Sequence, residues 1–247
     1  MKIIGLTRIR NESEIVVETL DHMATFCDRV YVYDDASTDN TVELCQDHSI
    51  VAGIVEGKEW DNDRENAEYE NRQAVLDLAR KSKPDSEDWF IYMDCDERID
   101  FDWDMFNNNH MRIDAIMMRL FDFYITEEDK DLHYSKRTKL GPEYRDILFM
   151  FKNSHALGYF HRDQRECNMR PGTRIGVAGY VKHYGKSISV QQWEDTCEYY
   201  ATAFPKYAAK WNARRGKAIH TESDFGYPLI TWDEKEAKGI SMAEATK

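Results

Sequence analysis

Four short apolar runs, at residues 3–7, 30–33, 50–55 and 89–93, constrain the fold of this chain more than any other feature. Each is too short for an ordinary helix, and longer segments with helical periodicity lie between them. Between residues 12 and 27, Ile15, Val16, Thr19, Leu20, Met23 and Cys27 fall on one helical face. Ser37 or Thr38 supplies N-cap chemistry for a helix reaching about Gln46. A third helix spans 65–83, with Ala67, Asn71, Ala74, Val75, Leu78 and Ala79 inward, and stops at Pro84. Continuous apolar strands alternating with helices belong to a mainly parallel sheet covered on both faces. The expected class is therefore α/β, a mainly parallel central sheet flanked by helices.

Beyond about residue 100 the pattern changes. Residues 115–125, 147–152 and 175–183 read as strands separated by irregular polar stretches. A helix rich in aromatics follows at 189–210, opened by Ser189. The stretch from 214 onward is charged, with scattered apolar residues, and its structure is left open. A chain of 247 residues fits one large domain. The expected organisation is a single domain over 1–247, with a ligand-binding half at 1–100, a second half at 101–213 and a polar extension at 214–247.

Composition narrows the function. The net charge of −13 argues against a stable nucleic-acid complex, which needs clustered Lys and Arg. It leaves room for a metal-bound nucleotide, because a divalent cation lets carboxylates face phosphates. No stretch approaches the roughly 20 apolar residues of a membrane span, so no transmembrane segment is expected. The initial apolar run is too short for a signal peptide. Cys27, Cys45, Cys95, Cys167 and Cys197 are odd in number and contain no CxxC pair, which reads as reduced thiols in the cytoplasm.

Two acidic clusters stand where strands end, the edge at which α/β sheets bind ligands. Asp94-Cys95-Asp96 follows the most apolar run. In a strand alternate side chains share a face, so Asp94 and Asp96 point at one ion while Cys95 faces away. Paired carboxylates completed by diphosphate oxygens and water suit Mg²⁺ or Mn²⁺. Asp34 and Asp35 open the second cluster, and a carboxylate there can accept from a base N–H or a ribose hydroxyl.

These residues resemble the inverting family-2 glycosyltransferases of the GT-A fold. The matching segments are Arg10-Asn11-Glu12, Val32 to Thr41, the helix start at 65–72, and Met93-Asp94-Cys95-Asp96-Glu97. The resemblance covers roughly the first hundred residues. It implies a GT-A (nucleotide-diphospho-sugar transferase) fold and metal-dependent transfer of a sugar, with inversion, from a nucleotide-diphosphate sugar to an acceptor. It further implies that Thr7, Arg8, Asn11 and Glu12 line the nucleotide pocket and that Asp34 or Asp35 holds the base. Arg72 and Asp94 would contact the donor, Cys95 is counted with the nucleotide-sugar segment, and Asp96 would bind the metal. Where the family has a small or glycine-rich approach to the helix, this chain has Trp60-Asp61-Asn62-Asp63-Arg64. His183, in a His-Tyr-Gly segment like those of the family, would be a further metal ligand, a role imidazole fills well for Mn²⁺. The acceptor-activating base is expected past the metal motif, at Glu166 or else Asp163.

The acceptor, whether a glycan, a lipid-linked glycan or a protein, is not named by these residues. Two alternatives stand beside this reading. A nucleotidyltransferase on a related sheet would want a glycine-rich, basic phosphate loop after the first strand, where only Gly5, Arg8 and Arg10 are available. A non-catalytic nucleotide-sugar-binding module would have no need of Asp94, Asp96 and His183.

Overall fold

A computed structural model describes residues 1–61, 63–108, 113–154, 157–159 and 166–246. In chain order the elements are β1 (Ile3–Ile9), α1 (Val16–Ala24), β2 (Arg29–Asp34), α2 (Thr41–Asp47), β3 (Val51–Glu56), α3 (Arg64–Lys81) and β4 (Trp89–Tyr92). Then come β5 (Glu97–Asp100), α4 (Trp103–Asn108), β6 (Ala115–Phe123), β7 (Lys139–Lys152), β8 (Ile175–His183), α5 (Val190–Ala203) and α6 (Ala208–Asn212). Short pieces close the chain: β9 (Ile230–Thr231), α7 (Lys235–Lys238), β10 (Ile240–Ser241) and α8 (Met242–Ala245).

The chain divides into two compact units that interleave in sequence. The first comprises Met1–Cys95, Phe101–Met118 and Ile147–Gly179, and the second comprises Asp96–Asp100, Arg119–Asp146 and Tyr180–Lys247. In the first unit the strand order begins β3-β2-β1-β4, all parallel, and β4 then pairs antiparallel with the end of β7. The sheet is thus parallel in its first four strands and mixed beyond them. Ile4, Leu6 and Phe90 pack against Val75, Leu76 and Ala79 of α3 on one face. On the other face Gly5 lets Met23 and Cys27 approach closely, since a Cβ there would meet Met23 at 2.6 Å. All six residues assigned to one face of the first helical segment are buried.

In the second unit, β5 pairs antiparallel with the end of β8, and β9 and β10 lie against the start of β7. Its core is aromatic: Phe121, Phe123 and Tyr184 pack with Trp232 and Tyr134.

Several elements differ from the sequence expectation for identifiable reasons. The helix expected at 189–210 breaks after Ala203, because Pro205 removes an N–H and starts a new turn. Ser37 and Thr38 do not cap α2. Asp39 accepts from the Thr41 backbone at 3.1 Å, while Ser37 and Thr38 bond to Asn11. The strand before the spaced aspartates ends at Tyr92, so Asp94 lies past the strand and Asp96 in a turn rather than both on one strand face.

That turn is tied to α1. Thr19, fully buried, donates from its hydroxyl to the Cys95 carbonyl at 2.6 Å. Thr19→Val keeps the shape and removes this buried bond, so we expect a loss of about 1–3 kcal/mol in urea unfolding. An unchanged midpoint would show that α1 does not hold the turn.

Candidate active site

The first unit gathers opposite charges at the carboxyl edge of its parallel strands. Arg8, on β1, reaches Asp35 at 2.9 Å and Glu68 of α3 at 3.5 Å. Arg72, one turn further along α3, reaches Glu68 at 3.6 Å and lies 5.3 Å from the Tyr92 ring. Asp94 accepts from the Tyr92 hydroxyl at 2.9 Å. Burial opposes the charge on Arg8, but Glu68, Tyr92, Asp94 and Asp35 outweigh it and hold the guanidinium above its ordinary range. Arg72 follows the same logic: burial lowers it, and Tyr92, Asp94 and Glu68 more than compensate. Its Nε, the Nε of Arg8 and the Thr7 hydroxyl are buried without hydrogen-bond partners.

Beside this edge is a pocket of about 540 Å³ lined by Arg10, Asp34, Ser37, Asp39 and Trp60, among others. Arg10 shapes its wall: it donates to the carbonyls of Asp35 and Ala36 at 2.6 and 2.7 Å and lies 3.7 Å over the Trp60 ring. Ala36 between them adopts φ 56°, a left-handed conformation that costs a residue with a Cβ roughly 1–2 kcal/mol. The structure separates the two neighbouring aspartates. Asp34 lines the pocket and accepts from the Ser37 backbone, whereas the Asp35 carboxylate turns to Arg8.

The second unit holds a different group. Asp96, Glu97 and His183 each offer a ligand atom within 4.8 Å of one another. His183 Nε2 lies 3.3 Å from Asp96, and its Nδ1 lies 2.5 Å from Asp122. Burial would depress the imidazole, but Asp96, aided by hydrogen bonds to Asp122 and Asp96, pushes it up to about 10. The ring thus lies between two carboxylates, one facing each nitrogen. Gly185 makes room here, because a Cβ at this position would meet Asp96 Oδ2 at 2.6 Å and His183 Nε2 at 2.8 Å. Asp96 and His183 border the space that one methyl at Gly185 would fill, and with Glu97 they form a donor set of a kind that fits Mn²⁺ or Mg²⁺.

The remaining residues singled out from sequence have other positions. Asn11 (φ 52°) accepts from the Thr38 backbone at 2.7 Å, and the Glu12 backbone donates to Thr41, so both brace the loops after β1 and β2. Cys95 is buried, and all five cysteines are free thiols. Glu166 accepts from the Leu148 backbone at 2.7 Å in the first unit. Asp163 lies outside the described residues. Among the described residues no helix is long and apolar enough to cross a membrane. Sequence reasoning missed Glu97 and Asp122. Their available signals were a carboxylate next to the spaced aspartates and an Asp inside the apolar run Leu120-Phe121-Asp122-Phe123.

No protein-family description matches the chain. Two uncharacterized proteins, from Mycobacterium bovis and Mycobacterium tuberculosis, are each 32% identical to it over 111 residues. Those matches cover 42% of this chain and 26% of the relatives, so the chain spans about a quarter of their length. Among solved structures, HddC from Yersinia pseudotuberculosis matches with a TM-score of 0.41 at 12% identity, covering 81% of this chain and all of HddC. Its complex with GMP-PN matches at 0.39 and 11%, over 81% of this chain and 100% of that one. The inositol-1-phosphate CTP transferase from T. maritima matches at 0.37 and 7%, over 88% and 97%.

The clearing beside Gly185 gives a direct test. Gly185→Ala should weaken Mn²⁺ binding by at least tenfold, read by calorimetry, with the far-ultraviolet circular dichroism spectrum retained. Equal affinity in the variant would mean that the ion does not enter there.

Proposed function

We propose that this chain is a divalent-metal-dependent glycosyltransferase that moves a sugar from a nucleoside-diphosphate sugar to an acceptor. The observation that carries the reading is the Asp96–Glu97–His183 group, a cation-binding donor set that begins two residues after Asp94. The bound ion would neutralise charge developing on the departing diphosphate. Asp96, Glu97 and His183 would hold it. Asp34, at the wall of the pocket beside Trp60, would accept from the base, and Arg8 and Arg72, held by Asp35 and Glu68, would set the positive charge of the donor edge. Glu166 would take the proton from the acceptor hydroxyl through whichever oxygen Leu148 leaves available. Five buried, free cysteines support a reducing compartment.

Nucleotidyl transfer fits less well, because a phosphate loop after β1 needs outward-facing cations and backbone N–H groups. Arg8 is committed to Asp35 and Glu68, and Arg10 to carbonyls and Trp60. The two reactions release different products. Incubation with UDP-, GDP- or dTDP-sugars and Mn²⁺ should release nucleoside diphosphate slowly, and EDTA should stop it. Pyrophosphate released from a nucleoside triphosphate and a sugar 1-phosphate, with no hydrolysis of any nucleotide sugar, would replace this reading with nucleotidyl transfer.

The base assignment has its own test. Glu166→Gln preserves an oxygen that accepts the Leu148 N–H, so the melting temperature should hold. The amide cannot take a proton, so transfer should fall by ~10²–10⁴-fold with donor affinity unchanged. Transfer at the wild-type rate would leave Glu166 with the backbone bond alone.

A further inference from the structure

Deepening that reading, we infer that Asp122 is a positioning residue that fixes the imidazole of His183 toward the cation. His183 sits between two carboxylates that face different nitrogens: Asp96 lies 3.3 Å from Nε2 and Asp122 lies 2.5 Å from Nδ1. A carboxylate can only accept, so Nδ1 carries its proton to Asp122, and Nε2 is the nitrogen left to face Asp96 and Gly185. The histidine's tautomer and ring plane therefore follow from Asp122. Carboxylate partners of this kind orient metal-binding histidines and raise their basicity.

Asp122 stands outside the Asp96–Glu97–His183 group, and both of its oxygens have cationic partners. Oδ1 accepts from His183 and from Arg145 at 2.8 Å, and Oδ2 accepts from Lys186 at 2.7 Å. Lys186 in turn pairs with Asp224 at 2.7 Å, and Asp224 pairs with Arg214 at 2.8 Å. Alternating charges thus brace Asp122 and link it to the C-terminal stretch. Each charge in the row has an opposite neighbour, which is what partly buried ions require. Asp122 stands in β6 between Phe121 and Phe123, whose rings lie on the opposite face against Trp232, and its own face carries the cations.

The test is a double-mutant cycle on Mn²⁺ alone, titrated by electron paramagnetic resonance. The ¹⁴N modulation from a coordinated imidazole serves as a second readout. Wild type should show that nitrogen coupling and His183→Ala should lose it. Asp122→Asn should bind Mn²⁺ about 10–100-fold more weakly. In the His183→Ala background the same change should add nothing, because Asp122 works through the imidazole. If Asp122→Asn unfolds, Asp122→Glu carries the same cycle with the carboxylate retained but displaced. Unchanged affinity and coupling in the Asp122 variant would overturn the inference. So would fully additive losses, which would make Asp122 a ligand or a scaffold residue in its own right. A wild type that binds no Mn²⁺ would instead remove the cation site, and this inference with it.

Discussion

Parallel pairing of β1 with both β2 and β4 is the constraint on which the first unit depends. Parallel strands all leave the sheet at the same edge, so their following loops are forced together whatever those loops contain. The residues after β1, β2 and β4 are Arg10-Asn11-Glu12, Asp35-Ala36-Ser37 and Met93-Asp94-Cys95. Bringing them to one edge would crowd like charges unless the cations came too. Arg8 and Arg72 meet that need, one at the end of β1 and the other from α3, and their pairs with Asp35 and Glu68 make the edge compatible with burial. Exposed ion pairs contribute little to stability, but removing one partner of a buried pair leaves a charge without compensation. The edge is therefore specified as a set. Asn11, bonded to the loop after β2, adds a positional lock that costs a left-handed backbone.

Much of this was legible in the amino-acid order, for a simple reason. A strand buried on both faces must be apolar throughout, so β1, β2 and β4 stand out as runs, and the acidic residues after two of them stand out by contrast; β3, at the sheet edge and only partly buried, is apolar as well. β7 was legible only in its second half. Its first half reads Lys139-Leu140-Gly141-Pro142-Glu143, with a proline that a central strand would exclude, and there its partners are the short strands β9 and β10. Glu143 is nevertheless buried, because its carboxylate is bonded to the Ser223 hydroxyl. That partner is eighty residues away, and no local pattern announces it. The four-residue β5, charged at both ends, was illegible for the same reason: its pairing with β8 rather than its own periodicity makes it a strand.

The site shows a similar division. Asp96 and His183 were identifiable by residue type and by their surroundings in sequence, and their proximity required the fold. Asp122 is a harder case, because a single Asp in an apolar strand reads locally as an edge or a bulge. Only its four neighbours, His183, Arg145, Lys186 and, through the lysine, Asp224, reveal why a carboxylate is stable there. With burial pushing its pKa up and three cations pulling it down, the cations win and the carboxyl is held well below its usual range.

The turn after β4 has the greatest consequence. A strand running on through Asp94 and Asp96 would have aimed both carboxylates the same way, with Cys95 on the opposite face. Because the strand stops at Tyr92, the two aspartates are freed from that alternation and take different partners. Asp94 accepts from Tyr92 and feels Arg8 and Arg72, while Asp96 faces His183. The residue between them supplies the fixed point: Cys95 is buried, and its carbonyl is held by Thr19. Two carboxylates spaced by one residue thereby serve two charge environments, one rich in guanidinium and one built around an imidazole. The spacing that in an unbroken strand would aim both side chains one way instead leaves each aspartate with its own partners once the strand has ended.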